Sequence, residues 1–99
     1  MADRFPLIVD SSSQQIKELP DGDSLLLGDS EKLILGDGSD LQLFHDGSDS
    51  YLKDAGTGRL VIETDGTDVS LKAGSENMVV ATKDGAVDLY YDNSKKFET

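Results

Sequence analysis

The chain has 99 residues, which is one domain at most, and 20 acidic side chains stand against nine Lys and Arg, a net charge of −11. This charge excludes a nucleic-acid-binding protein that works by neutralising phosphates, and it argues against adhesion to anionic membranes. The absence of Cys excludes disulfides and thiolate metal sites, and a single His argues against a His-dependent triad or a multi-His zinc site. We expect neither membrane insertion nor a signal peptide. No apolar run approaches the ~20 residues that span a bilayer, and the start Met-Ala-Asp-Arg lacks the signal pattern.

Residues 1–23 differ from the rest of the chain. An apolar run, residues 5–9, precedes Asp10 and three Ser, and a mixed segment, residues 14–20, follows. This order predicts an extended start, a polar turn and a further short strand. An open strand edge pairs with other chains unless it is covered. We therefore expect residues 1–23 to cap the end of a stack of strands or to attach the chain to a neighbouring protein.

Residues 24–99 are repetitive. Apolar triplets at 25–27, 33–35 and 41–43 lie eight residues apart. From residue 50 the period is nine, with the units SYLKDAGTG, RLVIETDGT, DVSLKAGSE, NMVVATKDG, AVDLYYDNS and a partial KKFET. The second and fourth places are mostly apolar and share one face of a strand, and the last places favour turns. The pattern predicts eight or nine short strands, in 8-residue units to about residue 49 and 9-residue units from residue 50.

Four dipeptides mark the expected tight turns, because Asp, Asn and Gly tolerate a positive φ. They are Asp46-Gly47, Asp65-Gly66, Asp84-Gly85 and Asp92-Asn93. In residues 24–99 Gly residues and these turn dipeptides recur at short intervals, which disfavours helices, so an all-β fold is predicted.

The regular period favours a repetitive, solenoid-like shaft, a β-helix or β-prism, over a sandwich, whose loops vary in length. One unit offers only about two inward apolar side chains, so we expect three chains to share one core as an intertwined homotrimer. Alternation along each strand predicts the buried and exposed side chains. The predicted buried set is Leu33, Leu35, Leu43, Leu60, Ile62, Val69, Leu71, Val80, Val87 and Leu89, and the predicted exposed set is Gln42, Glu63, Ser70, Lys72 and Asp88.

A longer repeat relates two segments of the chain. LQLFHDGSDSYLKD, from Leu41, aligns without gaps on VDLYYDNSKKFET, from Val87. Both copies follow the pattern L-aromatic-x-D-[GN]-S-x-x-aromatic, which is not expected twice by chance in 99 residues. The matched pairs are Leu43 with Leu89, Phe44 with Tyr90, Asp46 with Asp92, Ser48 with Ser94, and Tyr51 with Phe97.

The same residues resemble a known group of proteins. FPLIVDSSSQQIKELPDGDSL is similar to the starts of many virion structural proteins of marine tailed bacteriophages, especially cyanophages. LFHDGSDSYLKDAGTGRLVIETDG and DGAVDLYYDNSKKFET resemble repeats of their long tail-fibre-like proteins. The resemblance covers nearly the whole chain. It implies a β-helical or β-prism shaft, which in phage fibres is usually a homotrimer.

Pattern and resemblance together lead us to expect a non-catalytic structural component of a phage tail fibre, a rigid trimeric shaft that supports host attachment. It would be made in the host cytoplasm and carried on the virion as part of a tail appendage. The expected partners are further copies of the chain, other virion tail proteins and a host surface glycan, with no nucleic acid. We expect no cofactor and assign no catalytic, cofactor-binding or metal-binding residue. Two alternatives stay open: a calcium-binding β-roll or adhesion module, and a fragment of a polysaccharide-degrading spike.

Both alternatives depend on acidic residues. Segment 36–41, GDGSDL, imitates one copy of the calcium-binding nonapeptide GGxGxDxUx, but the other turns do not repeat the pattern that adjacent coils need to supply ligands. Glycoside hydrolysis needs two carboxylates ~5–10 Å apart in a cleft, one with a raised pKa. With 20 acidic side chains, such pairs arise without any function. Turn chemistry is the simpler interpretation of both.

The remaining candidates have simple structural interpretations. His45 aligns with Tyr91, which favours a half-exposed strand position over a ligand or a base. The phosphate-binding pattern GxxxxGK[ST] is absent from the sequence. Aromatic residues fall at repeat-equivalent places, which favours core or inter-chain packing over a platform for stacking sugars. These residues are Phe44, Tyr51, Tyr90, Tyr91 and Phe97.

Overall fold

A computed structural model describes residues 2–99, and this part of the chain is all-β, as predicted. Its strands form three antiparallel sheets of two, three and four strands, each in sequence order. The strands are β1 Leu7–Asp10, β2 Gln15–Glu18, β3 Lys32–Leu35, β4 Leu41–His45, β5 Ser50–Asp54, β6 Asp68–Ala73, β7 Glu76–Thr82, β8 Val87–Tyr91 and β9 Ser94–Glu98.

The N-terminal hairpin, β1–β2, has the predicted order of strand, polar turn and strand. One oxygen of the Asp10 carboxylate accepts hydrogen bonds from the Ser12 hydroxyl at 2.7 Å and from the Ser12 and Ser13 N–H groups at 3.0 and 3.3 Å. Its other oxygen lies 2.9 Å from Lys17 Nζ. Gln14 completes the turn with a φ of 56°. The three Ser therefore serve as turn residues around one carboxylate.

The three-stranded sheet, β3–β4–β5, is held in register by cross-strand pairs that separate two faces. Leu43 lies between Leu33 and Leu52 on one face, and Phe44 lies between Lys32 and Tyr51 on the other. The loop between β4 and β5 is closed by Asp46, whose carboxylate accepts from the N–H groups of Ser48 and Asp49 at 2.9 and 2.8 Å.

The four-stranded sheet, β6–β7–β8–β9, is a meander with two irregularities, one between Leu71 and Lys72 and one between Leu89 and Tyr90. Asp92 and Asn93 connect β8 to β9 with φ values of 49° and 60°. Two consecutive positive φ values are the geometry of a type I′ turn, whose twist suits a two-residue hairpin.

Three of the four predicted turn dipeptides contain a positive φ, at Gly47, Asp84 and the Asp92-Asn93 pair. Asp65-Gly66 does not, and there the Gly66 N–H instead donates to Thr64 Oγ1 at 2.9 Å.

The chain divides into two compact units, the first running to Arg59 and the second spanning Leu60–Thr99. Within each unit neighbouring strands pair by antiparallel hairpins, and residues 2–99 contain no solenoid. The β-helix or β-prism therefore stays a prediction about an assembly of chains. The predicted division at residues 23 and 24 also stays a prediction.

Two segments that were predicted to be strands are irregular instead. Leu25–Leu27 runs outside the three-stranded sheet, and Leu25 and Leu27 lie beside Leu33 and Leu43. It therefore flanks one face of the sheet and adds no strand. Leu60–Ile62 belongs to the irregular segment 55–67, which contains three Gly and lacks a strand partner. Glycine weakens a strand because it loses more backbone entropy and offers no side chain to pack.

The predicted core is wrong for a single chain, because no side chain in residues 2–99 is buried. Each sheet is one layer within its unit, so the predicted inward face has little to pack against. Val69 and Val80 are half-buried, and the other eight members of the predicted buried set are exposed. Glu63, Ser70 and Lys72 are exposed as predicted, whereas Gln42 and Asp88 are half-buried.

Candidate functional site

The most exposed apolar surface belongs to the N-terminal hairpin. Leu7, Val9 and Ile16 share one face of β1–β2, and they are 70%, 74% and 72% exposed. We call this surface the hairpin face. An isolated two-stranded hairpin is marginally stable in water, and only packing of such a face on another surface makes it durable. The apolar run in residues 7–9 is the sequence signal for this hairpin, and the predicted set of buried residues did not include its face.

A second apolar surface covers one side of the three-stranded sheet. Cross-strand pairing places Leu33 beside Leu43 and Leu52, and Leu35 beside Leu41. We call these five residues the leucine face. Leu33, Leu35, Leu43 and Leu52 are 45–53% exposed. Five leucines on one side of three short strands form a contiguous apolar patch, which marks an interaction surface in a soluble protein.

A groove lies on the leucine face. The irregular segment 25–31 forms one wall, with Leu25 and Leu27 opposite Leu33 and Leu43. The Ser30 N–H donates to the His45 carbonyl at 2.7 Å and holds this wall to β4. The groove encloses about 370 Å³ and is mainly apolar. The sequence shows that residues 25–27 are apolar, but it did not predict that they would flank one face of the sheet.

The opposite side of the three-stranded sheet carries an aromatic pair. The rings of Phe44 and Tyr51 stack with centroids 4.7 Å apart and planes 16° from parallel, and Lys32 Nζ lies 4.7 Å from the Phe44 centroid. The negative charge of Asp46 raises the pKa of the Tyr51 phenol, and so does a hydrogen bond between these two side chains. These two rings therefore stack on each other within one chain. No aromatic side chain in residues 2–99 is buried in a core, and the inter-chain packing predicted for the aromatic residues stays a prediction.

The four-stranded sheet has its own apolar side. Pairing aligns Leu71, Val79, Leu89 and Phe97 across all four strands, and it aligns a second row beside them. We call this surface the second-unit face; its members are Val69, Leu71, Val79, Ala81, Val87, Leu89 and Phe97. Leu71 and Phe97 are 54% and 58% exposed.

The carboxylates of Asp10 and Asp46 accept hydrogen bonds within their own turns. The N–H groups of Asp49 and Ser48, which donate to the Asp46 carboxylate, hold its pKa below the ordinary value. The Ser12 hydroxyl, together with Lys17 and Ser13, holds the pKa of Asp10 well below its usual range. A general acid in glycoside hydrolysis needs the opposite shift. These two carboxylates are therefore suited to accept hydrogen bonds and unsuited to donate a proton.

The calcium-like segment 36–41 forms a turn around one carboxylate. The Ser39 N–H donates to the Gly36 carbonyl at 3.1 Å, and Ser39 itself has a φ of 59°. The Asp40 side chain lies so close to Gly36 and Gly56 that a Cβ at either position would collide with it. Nowhere in residues 2–99 do three or more His, Asp or Glu side chains converge in a way that could hold a metal ion.

His45 ends β4 with its side chain exposed, whereas a half-exposed position was predicted. Its Nδ1 lies 2.9 Å from the Ser50 hydroxyl, which is the cross-strand partner on β5. Both residues border the groove on the leucine face.

In the described chain, two buried side-chain oxygens lack a hydrogen-bond partner, and the two half-buried residues that carry them occupy equivalent positions. The two oxygens are Gln42 Oε1 and Asp88 Oδ1. Residues 42 and 88 match each other in the gapless alignment of the two repeat copies. Gln42 donates through Nε2 to the Ser39 carbonyl at 3.0 Å, and the other oxygen of Asp88 lies 3.5 Å from Lys95 Nζ. A polar residue at this place is thus shared by both copies, on the side of each sheet away from its apolar face.

No protein-family model, curated protein or solved structure matches this chain. Among the described residues there is also no helix that is long and apolar enough to span a bilayer. The three apolar faces and the repeat itself are therefore the features of this chain that bear on its function.

Proposed function

We propose that this protein is a non-catalytic structural component of a phage tail fibre or a related virion appendage, in which three copies form a rigid shaft that supports host attachment. Its partners are two further copies of the chain and other virion tail proteins, and the assembled surface is available to a host glycan. The single observation that carries the proposal is that every sheet has an apolar face and that no side chain in residues 2–99 is buried. A chain of this kind gains most of its stability from contacts with other chains.

A β-prism is the assembly that uses these faces best. In a β-prism, three chains each contribute one antiparallel sheet, and the sheets turn their apolar sides toward a common threefold axis. The leucine face and the second-unit face each supply one apolar side of a sheet for this purpose. Burying a Leu, Val or Phe side chain contributes about 1.5–3 kcal/mol, so a face of five leucines supplies a large driving force when three copies meet.

The charge pattern suits a shaft. A net charge of −11 keeps assembled rods apart in solution, because like charges repel at close range. The Asp-rich turns place these charges at the ends of strands, where they also close the hairpins. Charge therefore limits side-by-side association, while the apolar faces direct association around one axis.

The native mass in solution tests the assembly. Light scattering after size exclusion should give about three times the 10.6 kDa chain mass. A monomer that melts cooperatively at every concentration would contradict the proposal, because its uncovered faces would then need no partner.

The location of the protein on the virion and its lack of polysaccharide-degrading activity are tested by separate measurements. Mass spectrometry of purified virions should detect the protein at a copy number divisible by three, and long incubation should leave host polysaccharide unshortened. Detection in infected-cell lysate alone would refute the structural role. Shortening of the polysaccharide that disappears on replacing a single Asp or Glu would instead make the protein a depolymerase.

A further inference from the structure

We infer that Leu26 of one chain inserts into the groove on the leucine face of a neighbouring copy, so that the subunits associate head to tail around the trimer axis. The inference rests on the proposed homotrimer and specifies its contact. Leu26 is 87% exposed, the highest exposure of any large apolar side chain in the described residues. Leu25 and Leu27, its two neighbours in sequence, line the groove of their own chain, while Leu26 lies outside that lining.

The groove has the size and chemistry to accept a leucine side chain. It encloses about 370 Å³, and an apolar cavity of about 150 Å³ already accepts a benzene-sized group. Leu25, Leu27, Leu33 and Leu43 supply its walls. An apolar side chain entering it would displace water from apolar surface on both partners, which is the main favourable term in association.

The position of Leu26 determines the type of interface. Leu26 cannot fill the groove of its own chain, because Leu25 and Leu27 line that groove and hold Leu26 outside it. The Leu26 side chain of each chain can instead enter the groove of the next chain. Such heterologous contacts generate a closed ring if the rotation from one chain to the next closes. In such a ring each chain makes two contacts, one through its Leu26 and one through its groove.

The wall that carries Leu26 is held in place, which favours a defined contact. The Glu31 carboxylate accepts from the Gly28 N–H at 2.5 Å, and the Glu31 N–H donates to the Gly28 carbonyl at 3.0 Å. With the bond from the Ser30 N–H to the His45 carbonyl, these contacts fix the segment directly after Leu27. Less conformational entropy is then lost when Leu26 docks.

Disulfide trapping tests the contact directly, because the chain has no cysteine of its own. Chains carrying Leu26→Cys are refolded together with mass-tagged chains carrying Leu43→Cys and are then mildly oxidised. Leu35→Cys is the matched control, because Leu35 lies on the same face with nearly the same exposure, 52% against 51%, but does not line the groove. We expect the mixed 26–43 dimer in several-fold excess over the 26–35 dimer. Equal yields, or a predominance of 26–26 dimers, would overturn the inference.

A single chain carrying both Leu26→Cys and Leu43→Cys, diluted into excess unmodified protein, examines the alternative that Leu26 enters its own groove. We expect the double variant to form almost no disulfide within the chain. A high yield of the internal disulfide would overturn the inference.

A charge substitution separates failure of this contact from failure of the trimer. Leu26→Asp should weaken association about ten-fold to a hundred-fold, while the far-ultraviolet circular dichroism spectrum of the strands is retained. Ser24→Asp, at an exposed position two residues away, should leave the mass of the assembly unchanged. If the unmodified protein is a monomer, the proposed function itself fails. If it is a trimer and Leu26→Asp is also a fully associated trimer, only this inference fails.

Discussion

Replacing Leu71 by alanine should destabilise the protein by an amount that depends on protein concentration. Leu71 lies on the second-unit face and is 54% exposed in the single chain. Full burial of a leucine contributes about 1.5–3 kcal/mol, so less than half of that, about 1 kcal/mol, is present before chains associate. Once a neighbouring copy covers the face, the substitution leaves a cavity and should cost about 2–5 kcal/mol per site.

Urea unfolding over about a hundred-fold range of concentration measures both values. Unfolding of an assembly shifts to higher denaturant as concentration rises, because mass action favours the bound state. We expect the difference between Leu71→Ala and the unmodified protein to be small in dilute samples and several-fold larger in concentrated ones. Ile62→Ala is the matched control, because Ile62 is 62% exposed but lies in the irregular segment 55–67, outside any sheet face.

Two results would refute this reasoning. A loss of 2–5 kcal/mol at every concentration would mean that Leu71 is buried by its own chain. An unfolding midpoint that never changes with concentration would mean that no assembly covers the second-unit face.

Three further predictions concern the turns and the acidic residues. Because the folded-state pKa of Asp46 is lowered, its contribution to stability is full above the unfolded pKa of ~3.9 and is lost as the pH falls through the folded value. Asp46→Ala should therefore lower the melting temperature near pH 6 but not at strongly acid pH, and a difference that grows on acidification would be the wrong sign. Asp92→Gly should preserve the hairpin between β8 and β9, whereas Asp92→Val should cost about 1–2 kcal/mol at its positive φ; equal stability of the two variants would argue against the type I′ turn. Adding EDTA should leave the melting temperature of the unmodified protein unchanged, and a loss of tens of degrees would favour the calcium-binding β-roll.

The sequence predicted strand positions well where an alternating segment has an adjacent partner. The order of strand, turn and strand in residues 7–18 followed from an apolar run and from a cluster of turn residues, because a hairpin needs only local signals. The segment 60–62 is also an apolar run and forms no strand. Whether a strand forms there depends on a hydrogen-bonding neighbour, and a repeat period contains no information about which neighbour is present.

The two copies of the long repeat show how a small change in a turn alters a whole hairpin. In the first copy, four residues separate His45 from its partner Ser50, and Tyr51 pairs with Phe44. In the second copy, Asp92 and Asn93 make a two-residue turn, and Phe97, the match of Tyr51, pairs with Leu89. Asn can adopt the second positive φ of a type I′ turn and then sets a tighter register. The shorter turn alone moves the pairing by two positions and keeps each residue on its side, and the irregularity between Leu89 and Tyr90 moves it by a single position. Phe97 therefore lies on the apolar side with Leu89, whereas Tyr51 lies on the side opposite Leu43, which a gapless alignment cannot indicate.

The apolar faces explain why the predicted set of buried residues was wrong for one chain. Alternation identifies which side of a strand is apolar, and the leucine face and second-unit face do lie on one side of each sheet. Alternation does not indicate what covers that side. In a sandwich a second sheet of the same chain covers it, whereas the described residues place only the short segment 25–31 over part of one face. The sequence thus contains the apolar sides of a core, and we propose that another chain supplies the wall that covers them.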